Sequence, residues 1–207
     1  MDYQTQVQSF AHRIERLPRN RQAFVFTVLA KSLQPARDGE SPDEARRRSA
    51  VETAINIASD FAVQAQLQDN GSSIEALQAV VPHGDDISTA EEFCLQCMIV
   101  VVAAALRAAS HGETVSGELV EYALAPLHSY LCERDLGVMD VGSSQRELAW
   151  EAELPHEPAM REALRFVDSA VVAAEDEEPV SLEEIEAMSR SGGVLMPPPM
   201  TCCDHPA

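Results

Sequence analysis

The sequence predicts an all-α protein: a single-domain bundle of about seven to nine helices around a buried central helix at about 89–109. Three observations carry that expectation. The longest uninterrupted apolar run, Cys97 to Leu106, is preceded by a capping-box pattern, Ser88 with Glu91, and stopped by His111-Gly112. The flanking segments repeat their apolar residues at helical spacing. Aromatic residues make up only 5% of the chain against 45% hydrophobic, so Ala, Val and Leu fill the core, as suits close-packed helices. The β-branched stretch Ile99 to Val102 could form a buried strand, but the length of the segment, its cap and the alanines after it favour a helix. Phe93, Cys94, Cys97, Ile99, Val101, Val102 and Leu106 are its expected core residues.

The other elements follow in chain order. Val7, Phe10, Ile14 and Leu17 give a first helix from Tyr3 to Arg16, and Pro18 interrupts before a second reaching Leu33. Ser41-Pro42-Asp43-Glu44 combines a Ser N-cap, Pro at the first helical position and Glu three residues after the cap. That helix is expected to run to about Leu67, with Asp69-Asn70-Gly71 ending it, and a short helix Ser73 to Val80 comes next. Ser116 to Arg134 is helical with a kink expected at Pro126; Ser144 with Glu147 opens a short piece ending near Pro155. A helix from Glu157 to Ala174 follows, and Ser181 with Glu184 caps a last short one ending at Gly192-Gly193. The expected organisation is a helical bundle over 1–174, an acidic linker and short C-terminal helix over 175–193, and a flexible tail over 194–207.

Charge narrows the partners. The net charge is −19 and it is unevenly spread. Residues 1–48 hold nine basic residues against six acids, a balance of +3; the remainder holds six against 28, a balance of −22. An acidic body repels nucleic acid and anionic membranes and attracts a protein with a basic surface. The opening QTQVQSFAHRIER is too polar for a secretory apolar region, and the central apolar run is about half a bilayer span. Five cysteines without a framework spacing suit a reducing cytoplasm. Nothing in the sequence indicates oligomeric state.

Chemical motifs are sparse. Cys94 and Cys97 form a CxxC, but inside a helix rather than at an N-terminus after a strand, so they read as two small buried thiols. Cys202, Cys203 and His205 are metal-ligand types in poor chelating geometry. His83, Asp85 and Asp86 share one short turn, where carboxylates beside an imidazole could hold a divalent metal or do acid–base work together with Glu92. Ordinary turn chemistry accounts for them as well. Arg46-Arg47-Arg48 reads as a solvated helix face. No phosphate loop, nucleophile elbow or EF-hand is present in the sequence. No cofactor is expected.

Three stretches together resemble a family. Ile14-Glu15-Arg16-Leu17 with Phe26, Leu29, Leu33 and Pro35, then Leu77 to Val81-Pro82 with Asp85-Asp86-Ile87, then Glu157-Pro158-Ala159-Met160 with Glu162, resemble in order and spacing the YjaG-like family of bacterial helical proteins. The chain departs from it at Asn20, at Ala30-Lys31-Ser32, at Cys97 and over Ser191 to Val194. The resemblance implies an all-helical, cytoplasmic bacterial protein without an established catalytic role and with a signalling association. The expectation is therefore a non-enzymatic acidic interaction module, either a regulatory adaptor or an immunity-type inhibitor of a basic toxin. The alternative is a metal-dependent or hydrolytic enzyme using the His83/Asp85/Asp86 turn.

Overall fold

Asp2 begins the first helix. Its Oδ1 accepts the Thr5 N–H at 2.7 Å, which satisfies one of the amides a helix leaves open at its start. Ser181 does the same for the last helix, its Oγ accepting the Glu184 N–H at 3.1 Å, as the capping-box pattern predicts. Between these two caps, the computed structural model describes residues 1–33, 42–67, 70–81, 90–110, 115–136 and 144–197. The described residues form nine α-helices and no strand. They are α1 (Tyr3–Arg16), α2 (Arg19–Ser32), α3 (Pro42–Gln64), α4 (Gly71–Gln78), α5 (Ala90–Ala108), α6 (Glu121–Leu136), α7 (Ser144–Glu153), α8 (Pro158–Glu175) and α9 (Leu182–Ser191). Short 3-10 turns at Gly117–Val120, Leu154–His156 and Gly192–Leu195 link or extend them.

Two limits differ from the sequence expectation. α3 stops at Gln64 because Ala65 takes a left-handed conformation (φ 55), a position that usually takes glycine. The segment from Ser116 starts as a 3-10 turn, and α6 then runs continuously through Pro126.

The centre also differs. α5 supplies the buried Cys94, Cys97, Ile99, Val101, Val102 and Leu106, but it is not enclosed on every side. Phe93, Gln96, Val100, Ala103 and Arg107 fall three or four residues apart and form a half-buried stripe. Phe93 therefore lies on the outer edge rather than in the core. The more enclosed helix is α2, where eleven of fourteen residues are buried, Ala23 to Ala30 without a break. α5, α3, α9 and α8 all pack on it. The reason is long-range: a segment apolar around its whole circumference is stabilised only when several neighbours cover it.

That arrangement also moves the expected domain limit. Residues after 174 are not an appendage. α9 packs on α2 and buries Ile185, and the 3-10 turn after it buries Leu195 completely. Ser32 Oγ donates to the Val28 carbonyl (2.8 Å) and approaches the Ser189 carbonyl (3.3 Å), joining α2 to α9. Gly192 lies against Ser32 and Phe166, with no room for a Cβ. Val194 and Met196, assigned to a tail by sequence, pack on the core; residues 198–207, including Cys202, Cys203 and His205, lie outside the described residues.

Candidate functional site

Four of the basic residues in the N-terminal end, Arg13, Arg19, Arg21 and Lys31, are turned to internal use. Arg13 on α1 binds α8 with three donors: Nη1 to Asp168 Oδ1 (2.6 Å), Nε to Glu175 Oε1 (2.8 Å) and Nη2 to Glu175 Oε2 (2.7 Å). Hydrogen bonding to the guanidinium holds the Glu175 carboxyl below its ordinary range and pushes Arg13 upward. Arg19 at the start of α2 donates to the carbonyls of Arg107 (3.0 Å) and Ser110 (2.6 Å), covering open acceptors at the end of α5. Arg21 donates to the Glu178 carbonyl, and Lys31 pairs with Glu186 on α9. The 175–178 run is thereby tied to α1 and α2 rather than acting as a hinge.

The C-terminal part of the described chain is predominantly acidic. Residues 151–197 carry twelve acids against three arginines. Asp176, Glu177, Glu178 and Glu183 are exposed, and none makes an ion pair among the described residues. Two large apolar side chains bracket this strip in the chain: Val172 is 51% exposed and Leu182 49%. Val172 falls off the three-and-four spacing of the buried α8 residues Met160, Ala163, Leu164, Val167, Ala170, Val171 and Ala174. That offset is readable in the spacing of the apolar residues along the sequence. An open groove between α8 and α9 exposes parts of Phe166, Met188 and Val194, with Glu162, Glu184 and Arg165 as its charged lining. Exposed apolar side chains rimmed by polar and charged ones are a composition that protein interfaces share.

The chemistry sought elsewhere resolves as follows. Cys94 and Cys97 share one buried face of α5, in its interior. Burial pushes both thiols up, Cys97 to about 12, with Cys94 beside it contributing. The nucleophilic thiolate is therefore scarce at neutral pH. His83, Asp85 and Asp86 lie outside the described residues. Among the described residues no group of three or more His, Cys, Asp or Glu is placed to hold a metal ion, and no helix is long and apolar enough to cross a membrane. A second polar cluster is structural: His128 on α6 stacks between Tyr3 (5.0 Å) and Trp150 (5.2 Å, edge-on). Trp150 Nε1 donates to Asp135 Oδ2 at 3.1 Å, and Arg134 joins Asp135 to Glu157, tying α1, α6, α7 and the start of α8 together. Comparison of the chain with protein-family models, curated proteins and solved structures finds no match.

Proposed function

We propose that the protein is a non-enzymatic interaction module whose acidic face, from Val172 through Glu186, binds a protein partner with a basic surface. One observation carries the reading. Asp176, Glu177, Glu178 and Glu183 make no ion pair among the described residues and share this stretch with the exposed Val172 and Leu182, while Arg13, Arg21 and Lys31 bond to Glu175, the Glu178 carbonyl and Glu186. Charge of this kind steers encounter and sets register, and apolar anchors at the centre supply holding strength. The order and spacing of the Ile14–Leu17, Leu77–Ile87 and Glu157–Glu162 stretches support placing the chain among YjaG-like proteins in a cytoplasmic setting, as part of the same proposal. Within it stand two roles, a regulatory adaptor and an immunity-type inhibitor of a basic toxin.

The test compares retention of a basic partner at low and high salt by the wild type and by a Glu177→Lys/Glu178→Lys/Glu183→Lys variant. Retention is expected at low salt, with loss in high salt and in the charge-reversed protein, and a further loss in Leu182→Ser. Retention that ignores both salt and charge reversal would overturn the reading. Growth of cells exposed to a captured toxic partner, with and without this protein, separates inhibitor from adaptor.

A further inference from the structure

The groove between α1 and α8 reverses the sign of the surrounding surface. It is an open groove of about 480 Å³. Arg13 reaches it from α1, Arg161 and Arg165 from α8, and His156 from the preceding 3-10 turn, while Phe10 and Leu164 supply apolar lining. Asp168 is the one carboxylate among the lining residues, and it is already paired with Arg13 at 2.6 Å. Arg161 and Arg165 are exposed and make no ion pair or side-chain hydrogen bond among the described residues.

That is an unusual condition in a chain with 34 acids and 15 Lys and Arg residues. Carboxylates are abundant, yet two guanidinium groups four residues apart on one helix face stay unneutralised. Like charges at that spacing oppose helix formation, so the pair weakens α8 unless an anion lies between them. Guanidinium forks match the oxygens of phosphate and carboxylate two bonds at a time. The α8 N-terminus adds to the field: Glu157, its N-cap, makes no side-chain capping bond, and His156 and Arg161 on either side of it both line the groove. The volume of this open groove falls in the range of small-molecule sites.

We propose that this groove binds a small organic acid, with its phosphate or carboxylate held by Arg161 and Arg165 and its apolar body against Phe10 and Leu164. The inference is independent of the acidic docking face, so either can fail alone.

The experiment titrates the full chain at low salt with phenyl phosphate, with benzoate and with inorganic phosphate, following calorimetric heat and backbone amide shifts. Phenyl phosphate or benzoate should bind saturably, with shifts concentrated at residues 6–13 and 156–168. The tighter of the two identifies the oxyanion. Arg161→Gln/Arg165→Gln should weaken binding at least tenfold, whereas Arg16→Gln/Arg46→Gln, an equal loss of exposed charge elsewhere, should leave it within twofold. Three results would overturn the proposal. They are no saturable binding of either organic probe at millimolar concentration, an equal loss in both double variants, or inorganic phosphate binding as tightly as the organic probes. The shift map reads the site on the wild type, so it decides the matter even where a variant is damaged.

Discussion

Gly117 offers the sharpest test of the packing. It begins the 3-10 turn that crosses α1, and a Cβ built there would lie 2.0 Å from the Ala11 carbonyl oxygen, 2.6 Å from its carbon and 2.7 Å from its Cα. All three atoms are backbone, so no side chain can swing aside. Restoring ordinary contact moves the turn away from α1 by more than about 1 Å, since carbon contacts are optimal near ~3.5 Å. That shift breaks the bond from the Gly117 N–H to Glu15 Oε1 (3.1 Å) and loosens the fully buried Val120. Overpacking of this kind costs about 1–3 kcal/mol, and the lost hydrogen bond about 1 kcal/mol more. Gly117→Ala should therefore lose about 2–4 kcal/mol, a lowering of Tm by about 4–15 °C at this chain length. Gly193 is the internal control, because a Cβ there meets nothing within 4 Å. Gly193→Ala should change stability by no more than about 1 kcal/mol in either direction. Urea titrations followed by circular dichroism measure both. A Gly117→Ala protein within about 0.5 kcal/mol of wild type would refute the close approach of α1 and the turn. Equal damage from both substitutions would show that glycine's backbone freedom, and not the contact, is what matters.

Other consequences are open to measurement. Val101→Asp places a carboxylate at a completely buried position on α5, so it should cost more than about 4 kcal/mol and leave no cooperative unfolding transition; a folded monomer by gel filtration and circular dichroism would contradict the burial of that face. Glu175 is held below its ordinary value of 4.5 by Arg13, so the bond contributes fully above that pH and is lost as pH falls through the depressed value. At 41% exposure the contribution is below about 1 kcal/mol, so in urea titrations Arg13→Gln should lower stability by that amount near neutrality, and the gap from wild type should close as pH falls through the depressed value. Cys94 and Cys97 should resist alkylation at neutral pH until denaturant is added, because burial keeps both protonated; labelling of either at the rate of an exposed thiol would place the CxxC at the surface.

The sequence by itself determined the local structure. Tyr3–Arg16 and the Ser181 cap lie where side-chain type and spacing put them, since capping and helical periodicity act over three or four residues. Acidity was equally legible, being a sum over residues. Whether a charged or apolar side chain ends inside or outside was not. α2 and α5 both carry long apolar stretches, and only the set of neighbours decided that α2 is enclosed while α5 keeps the half-buried stripe containing Phe93. The bonds from Arg13 to Glu175 and from Lys31 to Glu186 span 162 and 155 residues, which no local pattern encodes, and they bind the expected acidic linker and last helix into the bundle. Leu195 follows the same rule: after two glycines it reads as tail, and it is buried because α2 and α8 leave a place for it. The acidic face and the arginine groove differ in the same way. Carboxylates in excess can be counted along the chain, but two arginines without an ion pair among the described residues are visible only in the folded structure.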